Sequence, residues 1–176
     1  SSCNLSCSYC PRERTSENMD FELFRKIIQE ARGFGPRSFS LHLFGEPLLY
    51  PRIFEAIRYI KGWDSRNTVL LTTNGTLLND CIDDFISSGI DQAFWTWRRE
   101  ARFRESTLLK LRKWGKFRVR FIDGITPDEA REEWRDWGNV EGRKLHTYGG
   151  KILTERFKVG LKQESSKKLN MRHACY

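Results

Sequence analysis

From residue 20 to residue 148 the apolar residues switch repeatedly between a period near 3.6 and a period near 2. Asp20 is placed to cap a helix whose apolar positions are Phe24, Ile27, Ile28 and Ala31, and Gly33 and Gly35-Pro36 stop it. Residues 38–44 alternate as a strand, with Phe39, Leu41 and Leu43 on one side. Pro51 opens a second helix through Ile53, Phe54, Ile57 and Ile60, closed by Gly62. Strand 68–73, helix 79–88, strand 91–97, helix 106–114 and strand 116–122 follow. Thr126-Pro127-Asp128-Glu129 reads as a capping box with proline at N1, and its helix buries Ala130, Trp134 and Trp137. A last strand runs over 142–148. Such alternation predicts an α/β fold of parallel strands joined by right-handed crossovers.

Three cysteines precede the first helix. Cys3, Cys7 and Cys10 are spaced C-x3-C-x2-C on a short polar stretch. Thiolates this close converge on one centre, and soft sulfur ligands suit iron–sulfur clusters or zinc. A disulfide is the weaker reading, because close spacing strains it and five cysteines cannot all pair. Zinc has its own argument. Cys7-x2-Cys10 has zinc-like spacing, and Cys3, or His173 and Cys175 from the far end, could complete the site.

The stretch with Tyr9 between the last two cysteines, C-x3-C-x-aromatic-C, resembles the signature of the radical S-adenosylmethionine (radical SAM) family. The resemblance implies that Cys3, Cys7 and Cys10 hold three irons of a [4Fe–4S] cluster and that SAM chelates the fourth. It implies reductive cleavage of SAM to a 5′-deoxyadenosyl radical that abstracts hydrogen from a substrate. It also implies a partial (β/α)6 barrel in which a strand precedes the cysteine loop. This chain would then lack its first strand, with a boundary just before Cys3. The barrel core is expected over 1–150, with 151–176 as a linker towards a truncated C-terminal extension.

Other segments resemble the family's motifs in the same order. Gly45-Glu46-Pro47, after Phe44, is similar to the GGEP segment that binds the SAM amino group, with Phe44 in place of the first glycine. Thr73-Asn74-Gly75 is similar to the TNG segment that ends the next strand. Relatives often carry Ser-x-Asp on the strand after that. Here Thr96 keeps the hydroxyl, and Arg98 stands where an acid is usual. In 116–121 strict alternation sets Phe117, Val119 and Phe121 against Arg118 and Arg120. If the apolar set packs under the helices, the arginines face the barrel interior, where a SAM or substrate carboxylate would serve them; a water-open edge is the alternative. The SAM-contact candidates are thus Gly45, Glu46, Pro47, Thr73, Asn74, Thr96, Arg118 and Arg120. Cys175 near the end resembles the first ligand of a SPASM or twitch extension, implying an auxiliary cluster in a longer protein. His42 and His146 read as packed or surface residues, and Cys81 as a small core residue.

Composition narrows the partners. No apolar run approaches the ~20 residues of a membrane span, and clustered thiols argue for a reducing, cytoplasmic setting. The net charge is +8, and residues 97–120 alone carry ten Arg and Lys against two Glu. This segment could attract an anion, which keeps an RNA-modifying enzyme and a zinc-stabilised nucleic-acid-binding module as alternative readings. The favoured partners are a peptide or small-molecule substrate and, by the resemblance, an electron donor such as flavodoxin or ferredoxin.

Overall fold

The computed structural model describes residues 2–10, 17–42, 44–138 and 140–143. Five strands form one sheet: β1 (Ser38–Ser40), β2 (Thr68–Thr73), β3 (Gln92–Thr96), β4 (Phe117–Ile122) and β5 (Val140–Arg143). They lie in the order β1-β2-β3-β4-β5, and every neighbouring pair is parallel. Helices α1 (Phe21–Ala31), α2 (Ile53–Trp63), α3 (Leu78–Ser87), α4 (Glu105–Trp114) and α5 (Asp128–Glu133) alternate with them. This is the α/β arrangement expected of a partial (β/α) barrel.

The parallel strands are sorted by face. Val69, Leu71, Ala93, Trp95, Phe117, Val119 and Phe121 join the helices' apolar residues, among them Ile28, Ile57, Ile60, Phe85 and Leu111, in one core. The intervening residues Thr72, Phe94, Arg118 and Arg120 lie on the other face, only partly covered. Asp20 caps α1, its Oδ1 accepting from Leu23 N–H at 2.9 Å. Outside β1's edge an apolar groove of about 300 Å³ runs between α1 and α2, lined by Phe24, Ile28, Phe39, Leu41 and Ile53 among others.

Three elements depart from the sequence expectation. β1 stops at Ser40, not 44. Leu41 N–H still reaches Leu70 O, but Thr72 N–H is then taken by the His42 side chain, so a ring nitrogen replaces a strand carbonyl. The expected capping box at Thr126 is not formed. Pro127 is the N-cap rather than N1, and the Thr126 hydroxyl accepts from Ile122 N–H behind it. α5 is accordingly short and ends in a 3₁₀ turn, Arg135–Trp137. Ala130 is buried, while Trp134 and Trp137 pack on the core only in part. β5 begins at Val140, two residues before the expected 142; its expected continuation to 148, with His146, falls outside the described residues, as do 151–176 with Cys175.

Candidate functional site

The loop that carries the three cysteines lies across the carboxyl ends of four strands. After β1, Glu46 N–H donates to Ser2 O at 2.9 Å. After β2, the Asn74 side chain donates to Asn4 Oδ1 at 2.8 Å, and Asn4 Nδ2 donates to Thr76 Oγ1 at 2.7 Å. After β3, the Arg98 guanidinium lies 5.2 Å from the centre of the Tyr9 ring. At the end of β4, Ile122 packs with Tyr9 and Ile125. Within the loop, Cys10 N–H closes a turn onto Cys7 O. Sites in sheets of this kind form where the strands' carboxyl ends converge.

Gly45 has φ of +127°, a conformation L side chains rarely adopt, and so delivers Glu46 inward. Glu46 is 4% exposed and its carboxylate receives three donors. Oε1 accepts from Thr73 Oγ1 at 2.7 Å and from Leu48 N–H at 3.1 Å, and Oε2 accepts from Asn74 N–H at 2.6 Å. Desolvation pushes its carboxyl above the ordinary range, against those hydrogen bonds and the nearby Arg98 charge. A carboxylate has about four acceptor positions, so one is left. Pro47 starts the 3₁₀ turn Pro47–Leu49 that Glu46 caps.

Gly75 is required in the next turn. It has φ of +82°, and a Cβ there would stand 2.6 Å from Trp95 Cδ1 and Nε1. That close approach lets Trp95 Nε1 donate to Asn74 O at 2.9 Å. Thr73 and Asn74 are buried beneath the cysteine loop.

Thr96 is buried and lies in register with Arg120 across β3 and β4. Arg120 sits 4.1 Å over the Phe94 ring and its Nε donates to Glu141 on β5. The anion expected from a cofactor or substrate is therefore supplied to Arg120 by the chain itself. Arg118 reaches the Gln92 side-chain amide, whose oxygen accepts from the guanidinium. His42 also lies on this face. Burial, with the Arg120 and Arg143 charges, lowers its pKa to about 4, so the ring is neutral. Its Nδ1 accepts from Thr72 N–H at 3.1 Å, which puts the proton on Nε2, 3.0 Å from Thr72 Oγ1. The basic residues of 97–120 do not share one surface. Arg118 and Arg120 turn inward, Arg98 lies under the cysteine loop, and Arg104 and Lys110 pair with Asp80 and Asp83 on α3.

The donor set fits a cluster. Cys3, Cys7 and Cys10 are free, half-buried thiols. The fourth described cysteine, Cys81, is turned away, its thiol donating to Leu77 O and pushed up to about 11 by burial. Three thiolates and no fourth described cysteine at the loop are a donor set that suits a cluster with one iron left for another ligand. Beside the loop, Arg98 Nε and Tyr9 Oη are both buried without a hydrogen-bond partner of good geometry among the described residues. Buried donors of this kind are normally satisfied, and a polar group bound there would satisfy them.

Comparison with known proteins agrees. The chain is 37% identical over 94 residues to a GTP 3',8-cyclase of Chlorobaculum tepidum, covering 52% of this chain and 28% of the relative. It is 32% identical over 103 residues to the tungsten-containing aldehyde ferredoxin oxidoreductase cofactor-modifying protein of Pyrococcus furiosus, covering 54% and 28%. These matches span less than a third of the relatives' length. The fold is similar to that of BtrN solved with AdoMet and 2-DOIA, with a TM-score of 0.60 at 18% identity over 82% of this chain and 66% of that one. It is also similar to anSMEcpe with bound AdoMet, with a TM-score of 0.61 at 18% identity over 82% and 49%. The profile of the radical SAM superfamily, whose members use a [4Fe–4S] cluster and S-adenosylmethionine, matches residues 1–94. With just over half its length matched, and with three free thiols laid over the carboxyl ends of a parallel sheet, the chain belongs to the radical SAM superfamily.

Proposed function

We propose that this chain is the core of a radical SAM enzyme in which Cys3, Cys7 and Cys10 hold a [4Fe–4S] cluster. The observation that carries this reading is the anchoring of the cysteine loop on the ends of four successive strands by Glu46, Asn4 with Asn74, Arg98 and Ile122. When bound, the cluster and SAM together supply a 5′-deoxyadenosyl radical for hydrogen abstraction. The chain's own part is to bind and orient. Gly45, Glu46 and Pro47 bring backbone and one spare carboxylate acceptor to the SAM amino group, Thr73 and Asn74 brace that turn, and Thr96, Arg118 and Arg120 line the path to the substrate. The substrate is a peptide or a small polar metabolite, in keeping with an inner face that presents threonine, arginine and glutamate.

The rest of this proposal is carried over by analogy with the family. An electron donor such as flavodoxin or ferredoxin reduces the cluster in a cytoplasmic setting. Among the described residues no helix is long and apolar enough to cross a membrane. The radical SAM core is assigned to residues 1–150.

The test is anaerobic reconstitution with iron and sulfide, then dithionite and SAM, with detection of 5′-deoxyadenosine. Release that depends on the cluster is expected. A fully reconstituted protein that binds SAM and releases none contradicts the reading.

A further inference from the structure

Asn74 has every polar group engaged. Its backbone N–H donates to Glu46 Oε2 at 2.6 Å, and its carbonyl accepts from Trp95 Nε1 at 2.9 Å. Its side-chain oxygen accepts from Thr76 N–H at 3.0 Å and from Thr76 Oγ1 at 2.7 Å. The backbone donor identifies that atom as oxygen, so the amide nitrogen must point the other way. That nitrogen has two N–H groups. One donates to Asn4 Oδ1 at 2.8 Å; the nitrogen also stands 3.9 Å from Cys3 Sγ. Thr76 Oγ1, donating to Asn74 and accepting from Asn4 Nδ2, closes a ring in which every donor and acceptor role is determined.

Cys3 lies at the point where this ring meets the cysteine loop. Its sulfur receives Leu5 N–H at 3.4 Å as well as the Asn74 amide. Donors aimed at a ligating sulfur draw electron density from it and favour the more negative, reduced state of a cluster. Asn74 belongs to the segment expected to contact SAM, but its amide is spent on the cysteine loop.

We propose that Asn74 is a positioning residue for that loop whose amide, by donating to the Cys3 sulfur, raises the reduction potential of the cluster held there. This rests on the assignment of Cys3, Cys7 and Cys10 as cluster ligands.

The test is a redox titration of the reconstituted full chain followed by electron paramagnetic resonance, with iron counted in the same samples. Asn74→Ala and Asn74→Asp are compared with wild type and with Asn4→Ala. Asn74→Asp keeps the oxygen that Thr76 needs, so the turn is retained while both N–H donors go. Both Asn74 variants are expected to lower the midpoint potential by about 59 mV or more, a tenfold change in the reduced-to-oxidised ratio of a one-electron couple. Asn4→Ala loosens the loop but leaves the amide beside Cys3, and should move the potential far less. Asn74 variants with full iron and the wild-type potential overturn the inference alone. So does an Asn4→Ala shift equal to theirs, which would assign the effect to loop position. A wild-type protein that takes up no cluster overturns the cysteine assignment and the inference together.

Discussion

On the helix-facing side of the sheet, Val69, Leu71, Ala93, Trp95, Phe117, Val119 and Phe121 are no more than 1% exposed and belong to one apolar core. On the opposite side, the same strands present groups that each depend on a particular partner. Thr72 is held by His42, Arg118 by Gln92, and Arg120 by Glu141 and Phe94. The first face is stabilised by buried area, which is spread over many contacts and tolerates volume-conserving change. The second is specified pair by pair, so losing one group leaves another unsatisfied. Damage to the outer face should therefore appear as lost stability. Damage to the inner face should appear as altered pH dependence and geometry, with smaller losses.

The largest effect is expected at Trp95, which serves both sides. Its ring packs with Phe103 and Trp134 in the core, while its indole N–H holds the Asn74 carbonyl. Trp95→Ala should cost about 3–5 kcal/mol in denaturant unfolding. Trp95→Phe keeps one aromatic ring but loses the second ring's volume and the indole N–H, and should cost less than Trp95→Ala, about 2 kcal/mol. Equal losses in the two variants would mean that the groups both lose, not the retained ring, matter here.

Acid should act next, through the inner face. His42 is neutral with a folded pKa of about 4 against an ordinary 6.5, and faces the charges of Arg120 and Arg143. The unfolded chain takes up this proton first, so stability is full above pH 6.5 and falls as the pH drops from 6.5 to 4. The loss is at most about 3 kcal/mol. His42→Asn, which can still accept from Thr72 N–H, should flatten that part of the stability profile. An unchanged profile would place the acid sensitivity elsewhere.

Glu46→Gln comes third. The new amide would turn an N–H donor towards Asn74 N–H, where Oε2 now accepts at 2.6 Å, at a cost of about 1–3 kcal/mol. Thermal unfolding of the protein without SAM detects this directly. A variant as stable as wild type would show that the carboxylate is kept for its ligand rather than for the turn.

The smallest change is expected from Glu141→Gln, about 1 kcal/mol, since Glu141 is 37% exposed and a fully buried pair would lose more. Replacing both partners, as Arg120→Met with Glu141→Leu, should restore stability to near the wild-type value. If the double variant is as unstable as the single, the pair contributes to the fold as the outer face does.

The sequence carried the outer face almost completely. Strand 68–73 has the expected limits, and the apolar periods mark core residues of α1, α2 and α3, because burial on one face is what a period records; in α4 Leu111 is the only buried apolar residue and Leu109 faces outward. The inner face was legible only as alternation. That Arg118 and Arg120 share a side follows from a period of two. That Glu141, 21 residues later, meets Arg120 depends on strand register, which no local pattern encodes. The same holds for Glu46, which reaches Thr73 and Asn74 across two strands. His42 ends β1 early through a side chain acting as backbone, and the Thr126 hydroxyl faces backwards to Ile122. In both cases a local preference yielded to a tertiary partner. The cysteine triad was legible because its spacing is chemistry in itself. The ring of Asn4, Asn74 and Thr76 that holds it spans about 70 residues and was not.

The central claim is that Cys3, Cys7 and Cys10 together hold the cluster on the strand ends. Iron counting with visible and paramagnetic spectra, on anaerobically reconstituted wild type and on Cys3→Ala, Cys7→Ala and Cys10→Ala, tests it most directly. About four irons per described core are predicted for the wild type, together with a brown colour that dithionite bleaches and loss of both in each variant. A single-cysteine variant with the full [4Fe–4S] spectrum, or a colourless wild type that carries zinc instead, would contradict the account.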